Sequence, residues 1–316
     1  MNIIVLGTDM FMVSCVNGLI KSGHKVILLV SEPENMSPVN SINIKNIAND
    51  LNIPYYETSD INSSDTREYF KSINPDIIFS TWPKLIKKNI LDIPKHGIIG
   101  THPTSLPLNR GRHPLHWLIV LGIKKTDLSF FIMNEGVDSG PILYQEEFNV
   151  ASNIKDNING LNSVAFDASV KVGKLLFDKK LINNSIKQDH SCSNTWRKRT
   201  LFDVTIDFRM RAVDIITLVN SFKAPYSGAI IVSHDGIYHV DEAIYTRKKE
   251  LPDYIENIEH GRILHVENNM LRIKAADNCL DIFTKKPLNK SMKSQKYIHP
   301  PIKYFVENPS LREFFI

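Results

Sequence analysis

The sequence is poor in cysteine and has no long hydrophobic run. Its 316 residues include three cysteines, Cys15, Cys192 and Cys279, an odd number at wide spacing. Such a set gives neither a disulfide framework nor a metal-binding motif. The longest apolar runs, such as 3–6 and 117–121, are far shorter than the roughly 20 residues of a membrane helix, and the first residues lack the basic start of a signal peptide. These absences predict a reduced, cytoplasmic protein without a metal or a membrane anchor.

The chain also lacks a strong charge of either sign. Its 38 Lys and Arg residues against 34 Asp and Glu residues leave a net charge of +4. Proteins that bind nucleic acids usually carry a concentrated basic footprint, and only residues 196–199 and 247–249 approach one here. The composition therefore argues against a nucleic-acid partner.

The first half of the sequence alternates short apolar runs with amphipathic segments. Runs typical of buried strands lie at 2–6, 25–30, 53–56, 76–79, 97–100, 128–133 and 142–150. Segments with helical spacing lie at 10–22, 42–51, 63–72, 86–90 and 158–177. Alternation of this kind is typical of an open, mostly parallel sheet with helices on both faces. We therefore predict an α/β fold of the Rossmann-like type for this part of the chain.

The pattern changes after a polar stretch without periodicity at 183–194, which indicates a linker. Beyond it, short strands are indicated at 229–232, 236–240, 262–266, 270–274 and 279–283. Several strands at such short spacing are typical of a small β-barrel or sandwich. We predict two domains, at 1–190 and 200–316, of which the second is a small C-terminal β-barrel of the OB-like type.

No GxGxxG sequence follows the first strand, so a dinucleotide cofactor is not supported. Ligand sites in open α/β sheets lie beyond the carboxyl ends of the strands. This rule points to residues 7–10, 80–83 and 101–106.

The densest group of reactive side chains, at 100–117, contains three histidines, two arginines and three prolines. His102 stands at the end of a predicted strand, and Asp138 lies in a glycine-bracketed loop after the next one. If the two strands are neighbours, the carboxylate can orient the imidazole and raise its basicity, which suits general acid–base catalysis near neutral pH. The spacing alone leaves open a structural histidine and an ordinary turn aspartate.

The order of these motifs resembles that of the formyltetrahydrofolate-dependent formyltransferases, a family whose members act on methionyl-tRNA, glycinamide ribonucleotide or amino sugars. The resemblance rests on His-Pro-Thr-Ser-Leu-Pro at 102–107, Arg-Gly-Arg at 110–112 and Glu-Gly-Val-Asp-Ser-Gly at 135–140. Residues 196–200, 206–208 and 224–229 are similar to segments of the family's C-terminal barrel. The resemblance spans nearly the whole chain and implies an enzyme that transfers a formyl group from 10-formyltetrahydrofolate, without a metal or a covalent enzyme intermediate.

The resemblance also implies roles for individual residues. His102 and Asp138 match the family's catalytic pair. The stretches that match its folate site are Lys84, Leu85 and Ile86; Thr104, Ser105, Leu106 and Pro107; and Asn134, Glu135, Gly136 and Val137. One position departs from the family, which has an asparagine two residues before the histidine. Gly100 stands there and cannot donate a side-chain hydrogen bond to a developing oxyanion.

Several acceptor amines fit the resemblance. We favour an amino sugar linked to a nucleotide, because residues 31–42, where the tRNA enzymes carry a basic insertion, hold two acids and no Lys or Arg. Methionyl-tRNA, another small amine and a non-catalytic folate- or ligand-binding relative are alternatives, and a homodimer is left open. Guanidinium groups match phosphate oxygens and aromatic rings can stack on a base, so the candidate substrate-binding residues are Trp82, Arg110, Arg112, Arg197 and Arg199.

Overall fold

A computed structural model describes residues 1–177, 184–308 and 310–311. The chain divides into two compact units. The first comprises Met1–Leu115, Lys124–Val150 and Asn157–Arg197, and the second comprises His116–Ile123, Ala151–Asp156 and Lys198–Ile316. No helix in the described part of the chain is long and apolar enough to cross a membrane.

The first unit is built on a seven-stranded sheet with the strand order β3-β2-β1-β4-β5-β7-β8. Two further short strands, β6 and β9, pair with each other. The strands are β1 (Asn2–Leu6), β2 (Lys25–Ser31), β3 (Tyr55–Glu57), β4 (Ile77–Ser80), β5 (Ile98–His102), β6 (Arg110–Gly111), β7 (Lys125–Ile132), β8 (Ile142–Asn149) and β9 (Thr195–Trp196). The central strands β1 and β4 are apolar runs rich in β-branched residues, which explains why they are almost fully buried.

The first three α-helices in this part of the chain begin at polar caps. Asp9, Asn43 and Ser63 each accept a backbone N–H from the third residue after them, which satisfies a free donor of the first helical turn. The helices along this part of the chain are α1 (Met10–Lys21), α2 (Ile44–Asp50), α3 (Ser64–Ile73), α4 (Lys88–Leu91), α5 (Pro114–Val120) and α6 (Ile154–Phe177). Each segment predicted to be helical from its spacing overlaps one of these helices.

The strand directions decide where the site can form. The strands β1 to β5 pair with one another in parallel, whereas β7 runs antiparallel to both β5 and β8. The prediction of a mostly parallel sheet is therefore confirmed. In the β5–β7 pair, His102 lies opposite Ser129 and Ile99 lies opposite Ile132, so β7 ends at the edge of the sheet where β5 begins.

The second unit contains a five-stranded antiparallel sheet with the order β10-β11-β14-β13-β12. Its strands are β10 (Ile230–Ser233), β11 (Gly236–Tyr245), β12 (Ile263–Glu267), β13 (Met270–Lys274) and β14 (Cys279–Thr284), and its helices are α7 (Ala212–Ser221), α8 (Lys290–Ser294) and α9 (Pro301–Glu307). Buried residues of α7 join the same hydrophobic core as the sheet. The predicted fold class, an α/β unit followed by a β unit, is confirmed.

The polar stretch that predicted a linker at 183–194 belongs instead to the first unit, in its described part, 184–194. Ile186 forms an antiparallel bridge with Ile142, a 3-10 turn spans His190–Cys192, and Gln188 is buried. Its order comes from polar side-chain contacts with other segments, which hydrophobic periodicity does not report.

Candidate active site

His102 is the last residue of β5 and is buried. Its Nε2 atom lies 2.8 Å from the carbonyl oxygen of Asn109, and the Thr104 hydroxyl donates a hydrogen bond to the same oxygen. A carbonyl can only accept, so this contact places the ring hydrogen on Nε2. In the neutral ring Nδ1 then carries the lone pair.

The Nδ1 atom of His102 faces Asp138. The distance from Nδ1 to Oδ2 of Asp138 is 3.5 Å, and Oδ2 also accepts a 2.9 Å hydrogen bond from the backbone N–H of Gly111. Because β7 ends at the opposite edge of the sheet, the loop after it must return toward His102. The structure therefore brings together the two residues that the sequence singled out, by a path that strand order alone did not predict.

Glycine at position 111 makes the approach of β6 to β9 possible. Gly111 has φ +103°, and a Cβ atom there would lie 2.3 Å from the carbonyl oxygen of Trp196. Any larger residue would separate the two strands or distort the backbone. Since the same residue donates its N–H to Asp138, the closeness of β6 and β9 bears directly on the carboxylate.

The segment Lys84, Leu85 and Ile86 follows β4 and is anchored on several sides. The Lys84 ammonium lies 2.5 Å from the carboxylate of Glu32, which is fully buried at the end of β2. The side-chain amide of Asn62 donates to the carbonyl of Leu85, and Arg112 donates a 2.9 Å hydrogen bond to the carbonyl of Pro83. The segment is thus held in a fixed conformation beside β5.

The loop Asn134, Glu135, Gly136 and Val137 is exposed along its whole length. Its carboxylate at Glu135 acts on Lys88, whose pKa is raised by a hydrogen bond and the charge of Asp92 first and by Glu135 as a smaller contribution. The Glu135 charge therefore acts on the first residue of α4.

The third stretch, Thr104 to Pro107, is joined by hydrogen bonds to β7 and β8. Thr104 and Leu106 are buried. Ser129 donates to the carbonyl of Thr104 and accepts the N–H of Leu106, and the hydroxyl of Ser105 is paired with Thr126. Ser105 and Pro107 are only partly buried, so they are the side chains of this stretch that a ligand can reach.

The space beside Gly100 is filled by apolar side chains. A Cβ atom at Gly100 would lie 2.8 Å from Cγ of Met133 and 2.9 Å from Cζ of Phe131. An asparagine there would require both neighbours to move. The loss of the family's asparagine is therefore accompanied by local packing that excludes it. Thr81 is a polar residue near this position, but its hydroxyl hydrogen is already donated to the carbonyl of Leu6.

The residues predicted to bind substrate have different surroundings. Arg110 is buried and donates hydrogen bonds through Nε and Nη2 to Oε1 of Gln188. Arg112 and Arg197 are exposed on the first unit. In the second unit the Arg199 guanidinium lies 3.7 Å above the ring of Phe222, and burial lowers its pKa to about 10.

Trp82 belongs to the hydrophobic core of the first unit. Its indole Nε1 is buried and has no hydrogen-bond acceptor in the described part of the chain.

Sequence reasoning missed three residues that contact the site, Gln188, Glu32 and Asn62, because they lie in stretches without a recognisable motif. Across the described residues, no group of three or more His, Cys, Asp or Glu side chains could hold a metal ion.

Comparison with known proteins places these features in a family. The formyl transferase family matches residues 1–168, and the formyl transferase C-terminal domain matches residues 201–299. Methionyl-tRNA formyltransferase of Alkaliphilus oremlandii is 27% identical over 296 residues, which cover 89% of this chain and 90% of that protein.

Solved structures agree in fold. Methionyl-tRNA formyltransferase from Clostridium thermocellum superimposes with a TM-score of 0.56 at 21% identity, covering 78% of this chain and 94% of that one. WlaRD, a sugar 3N-formyl transferase, superimposes with a TM-score of 0.57 at 18% identity, covering 92% and 98%.

Proposed function

The chain belongs to the formyl transferase family, and we propose that it transfers the formyl group of 10-formyltetrahydrofolate to a primary amine, with His102 and Asp138 as the catalytic pair. The observation that carries this proposal is the 3.5 Å approach of Nδ1 of His102 to Oδ2 of Asp138. The catalytic domain in this proposal spans 1–190, and the C-terminal domain spans 200–316.

The surroundings of the pair fit a folate donor. A pterin ring presents several hydrogen-bonding atoms along one edge, and the backbone of the exposed segments 84–85 and 134–137 offers both donors and acceptors. The buried indole N–H of Trp82, which has no acceptor among the residues that the structure describes, belongs to a side chain two residues before the first segment. When bound, the donor would supply a formyl group: the amine nitrogen bonds to the formyl carbon, the bond from that carbon to N10 of the folate breaks, and tetrahydrofolate leaves with a proton on N10 in place of the one that the amine loses. The residues that would hold it are those of the stretches 84–86, 104–107 and 134–137.

His102 handles the proton in this proposal. An amine must be neutral to attack, and it must lose a proton when the new bond to carbon forms. Nδ1 of the neutral ring has a free lone pair, because Nε2 donates to Asn109. Nδ1 can therefore accept the proton, and the adjacent carboxylate of Asp138 stabilises the resulting imidazolium. The Gly111 N–H keeps the carboxylate in place during this change.

For the acceptor, similarity in sequence favours methionyl-tRNA. The relative from Alkaliphilus oremlandii is named for this substrate and aligns over nine-tenths of its own length. Four cations, Lys84, Lys87, Lys88 and Arg112, are exposed around the segment 84–86. Lys84 is paired with Glu32 and Lys88 with Asp92, so the rim that these four cations form is mildly basic, and its cations are of the kind that contact the phosphates of a tRNA acceptor stem.

A nucleotide-linked amino sugar is the second candidate, and one observation favours it. The segment 32–42 contains Glu32 and Glu34 and no basic residue. It is also fixed over the first helix, because Asn40 donates a hydrogen bond to Asp9 and the N–H of Ile42 donates to the carbonyl of Thr8. A short, acidic and anchored segment offers no cations to a tRNA backbone.

The deciding experiment supplies 10-formyltetrahydrofolate with either charged initiator tRNA or a panel of nucleotide-linked amino sugars. The proposal expects formylated methionyl-tRNA, with a rate that falls about tenfold or more between roughly 50 and 200 mM salt because many phosphates are contacted. Transfer to an amino sugar with a shallow salt dependence would replace the tRNA by the second candidate. No transfer to any amine would contradict the formyltransferase proposal itself.

A further inference from the structure

The Asp138 carboxylate is carried by a backbone that needs external support. Asp138 has φ +47°, in the left-handed region that residues with a Cβ atom rarely occupy. Such a conformation persists when surrounding contacts hold it. The loop has internal hydrogen bonds from the Gly136 N–H and the Ser139 hydroxyl to the side chain of Asn134. From outside the loop, the Gly111 N–H and the buried side chain of Gln188 bond to it.

Gln188 bonds the loop at its left-handed residue and again two residues later. Its Nε2 atom donates hydrogen bonds of 2.9 Å to the carbonyl oxygen of Asp138 and 2.7 Å to that of Gly140. Only 7% of Gln188 is exposed, so water does not replace these bonds at low cost. Both hydrogens of the amide are therefore used on the loop that presents the carboxylate.

Arg110 fixes which way the amide of Gln188 points. Its Nε and Nη2 atoms donate to Oε1 of Gln188 at 3.1 and 2.6 Å. A guanidinium has donors and no acceptor, so the oxygen of the amide must face Arg110 and the nitrogen must face the loop. Arg110 is itself only 7% exposed, and the adjoining residue, Gly111, donates to the Asp138 carboxylate.

We infer that Gln188, oriented by Arg110, is a positioning residue that holds Asp138 in register with Nδ1 of His102. In this inference Arg110 orients a buried side chain of the site, whereas its sequence motif predicts that it binds a phosphate of the substrate. The inference rests on the proposed function, because it assigns Gln188 a role through Asp138. It extends that function to a residue in the stretch 184–194, which carries no motif.

Two variants separate the possible origins of an effect at Gln188. In Gln188→Leu both the donor and the acceptor are lost. In Gln188→Glu the acceptor for Arg110 is kept, but a carboxylate oxygen faces two carbonyl oxygens. Because the positioning role depends on donation to the loop, kcat should fall about 10- to 100-fold in both variants, with the KM for 10-formyltetrahydrofolate changed by less than about threefold. Wild-type kcat in Gln188→Glu would overturn the inference, because it would show that an acceptor for Arg110 is enough to position Asp138 and that donation to the loop is not needed.

A double-mutant cycle removes the effect of altered stability. If Gln188 acts through Asp138, Gln188→Leu should lower kcat about tenfold or more in the wild-type background and less than about twofold in the Asp138→Asn background. Equal losses in the two backgrounds would show a general structural role and overturn the inference. The matched control is Gln295→Leu, which removes an amide that bonds Ser233 in the second unit and should leave kcat unchanged.

The cycle also distinguishes failure of this inference from failure of the proposed function. If Asp138→Asn alone keeps wild-type kcat, the proposed catalytic pair is wrong. If Asp138→Asn is impaired while Gln188→Leu keeps wild-type kcat, the pair stands and the positioning role is overturned. Thermal denaturation of each variant, compared with Gln295→Leu, shows whether the protein measured is folded.

Discussion

Nδ1 of His102 lies 3.5 Å from Oδ2 of Asp138, although β5 ends and β7 ends at opposite edges of the sheet. The approach depends on the return path of the loop after β7. On this path Gly140 packs directly against the last residue of β7. A Cβ atom at Gly140 would lie 1.7 Å from the carbonyl oxygen of Ile132, so a larger residue does not fit there. Geometry at the catalytic pair is therefore coupled to a glycine two residues away.

The first prediction concerns this glycine. Gly140→Ala should displace the loop, because backbone atoms cannot yield as a flexible side chain can. Forcing an extra methyl group into packed structure costs about 1–3 kcal/mol, and misplacement of a catalytic group by about 1 Å can cost about 100-fold in rate. Formyl transfer and urea denaturation should both be measured. Gly160→Ala is the control, since that position in α6 meets nothing within 4 Å. Equal activity of the two variants would contradict the coupling.

A second prediction addresses the missing asparagine. Gly100→Asn should lower the free energy of unfolding by about 1–3 kcal/mol and should not raise kcat, because Met133 and Phe131 occupy the space that the new side chain needs. The same activity assay and a chemical denaturation curve test it. A stable Gly100→Asn protein with a several-fold higher kcat would mean that the site had retained room for this donor.

Much of the fold was predictable from the sequence, because buried strands such as β1 and β4 are continuous apolar runs that need no long-range information. The direction of β7 could not be predicted, because an apolar run has the same pattern whether the strand is parallel or antiparallel to its neighbour. The helix α7 lies in the part of the chain for which the sequence pattern predicts only strands. The pairing of His102 with Asp138 could be expected from two strand-end motifs. The role of Gln188 could not be predicted from the sequence, because it depends on hydrogen bonds to residues 48 to 78 positions away.

The third prediction is a pH dependence of stability in the second unit. Burial alone would raise the pKa of Asp281, but hydrogen bonds from Arg272 and Thr246 outweigh it, so the pKa is lower than usual. The carboxylate therefore stabilises the folded state above the unfolded pKa of about 3.9, and this contribution is lost as the pH falls through the folded pKa.

Asp281→Asn should accordingly lower the free energy of unfolding at pH 7 by about 1.5–3 kcal/mol, because Arg272 loses its charged hydrogen-bond acceptor at this position and keeps its pair with Glu250. The difference from the wild type should shrink as the pH falls below about 4. Urea denaturation at several pH values measures both effects. Glu307→Gln, which removes an exposed pair with Lys303, should change stability by less than about 1 kcal/mol. A constant difference between Asp281→Asn and the wild type across this range would contradict the assignment.

The most direct test of the proposed catalytic pair is the kcat for formyl transfer of His102→Ala, Asp138→Asn and the double variant, measured beside the binding of 10-formyltetrahydrofolate. If Nδ1 of His102 accepts the proton and Asp138 stabilises the charged ring, each single variant should lose about 100- to 10,000-fold in kcat. The double variant should lose little more than His102→Ala, since the two side chains act as a unit, and donor binding should persist. Near wild-type turnover in either single variant would contradict the central role of this pair.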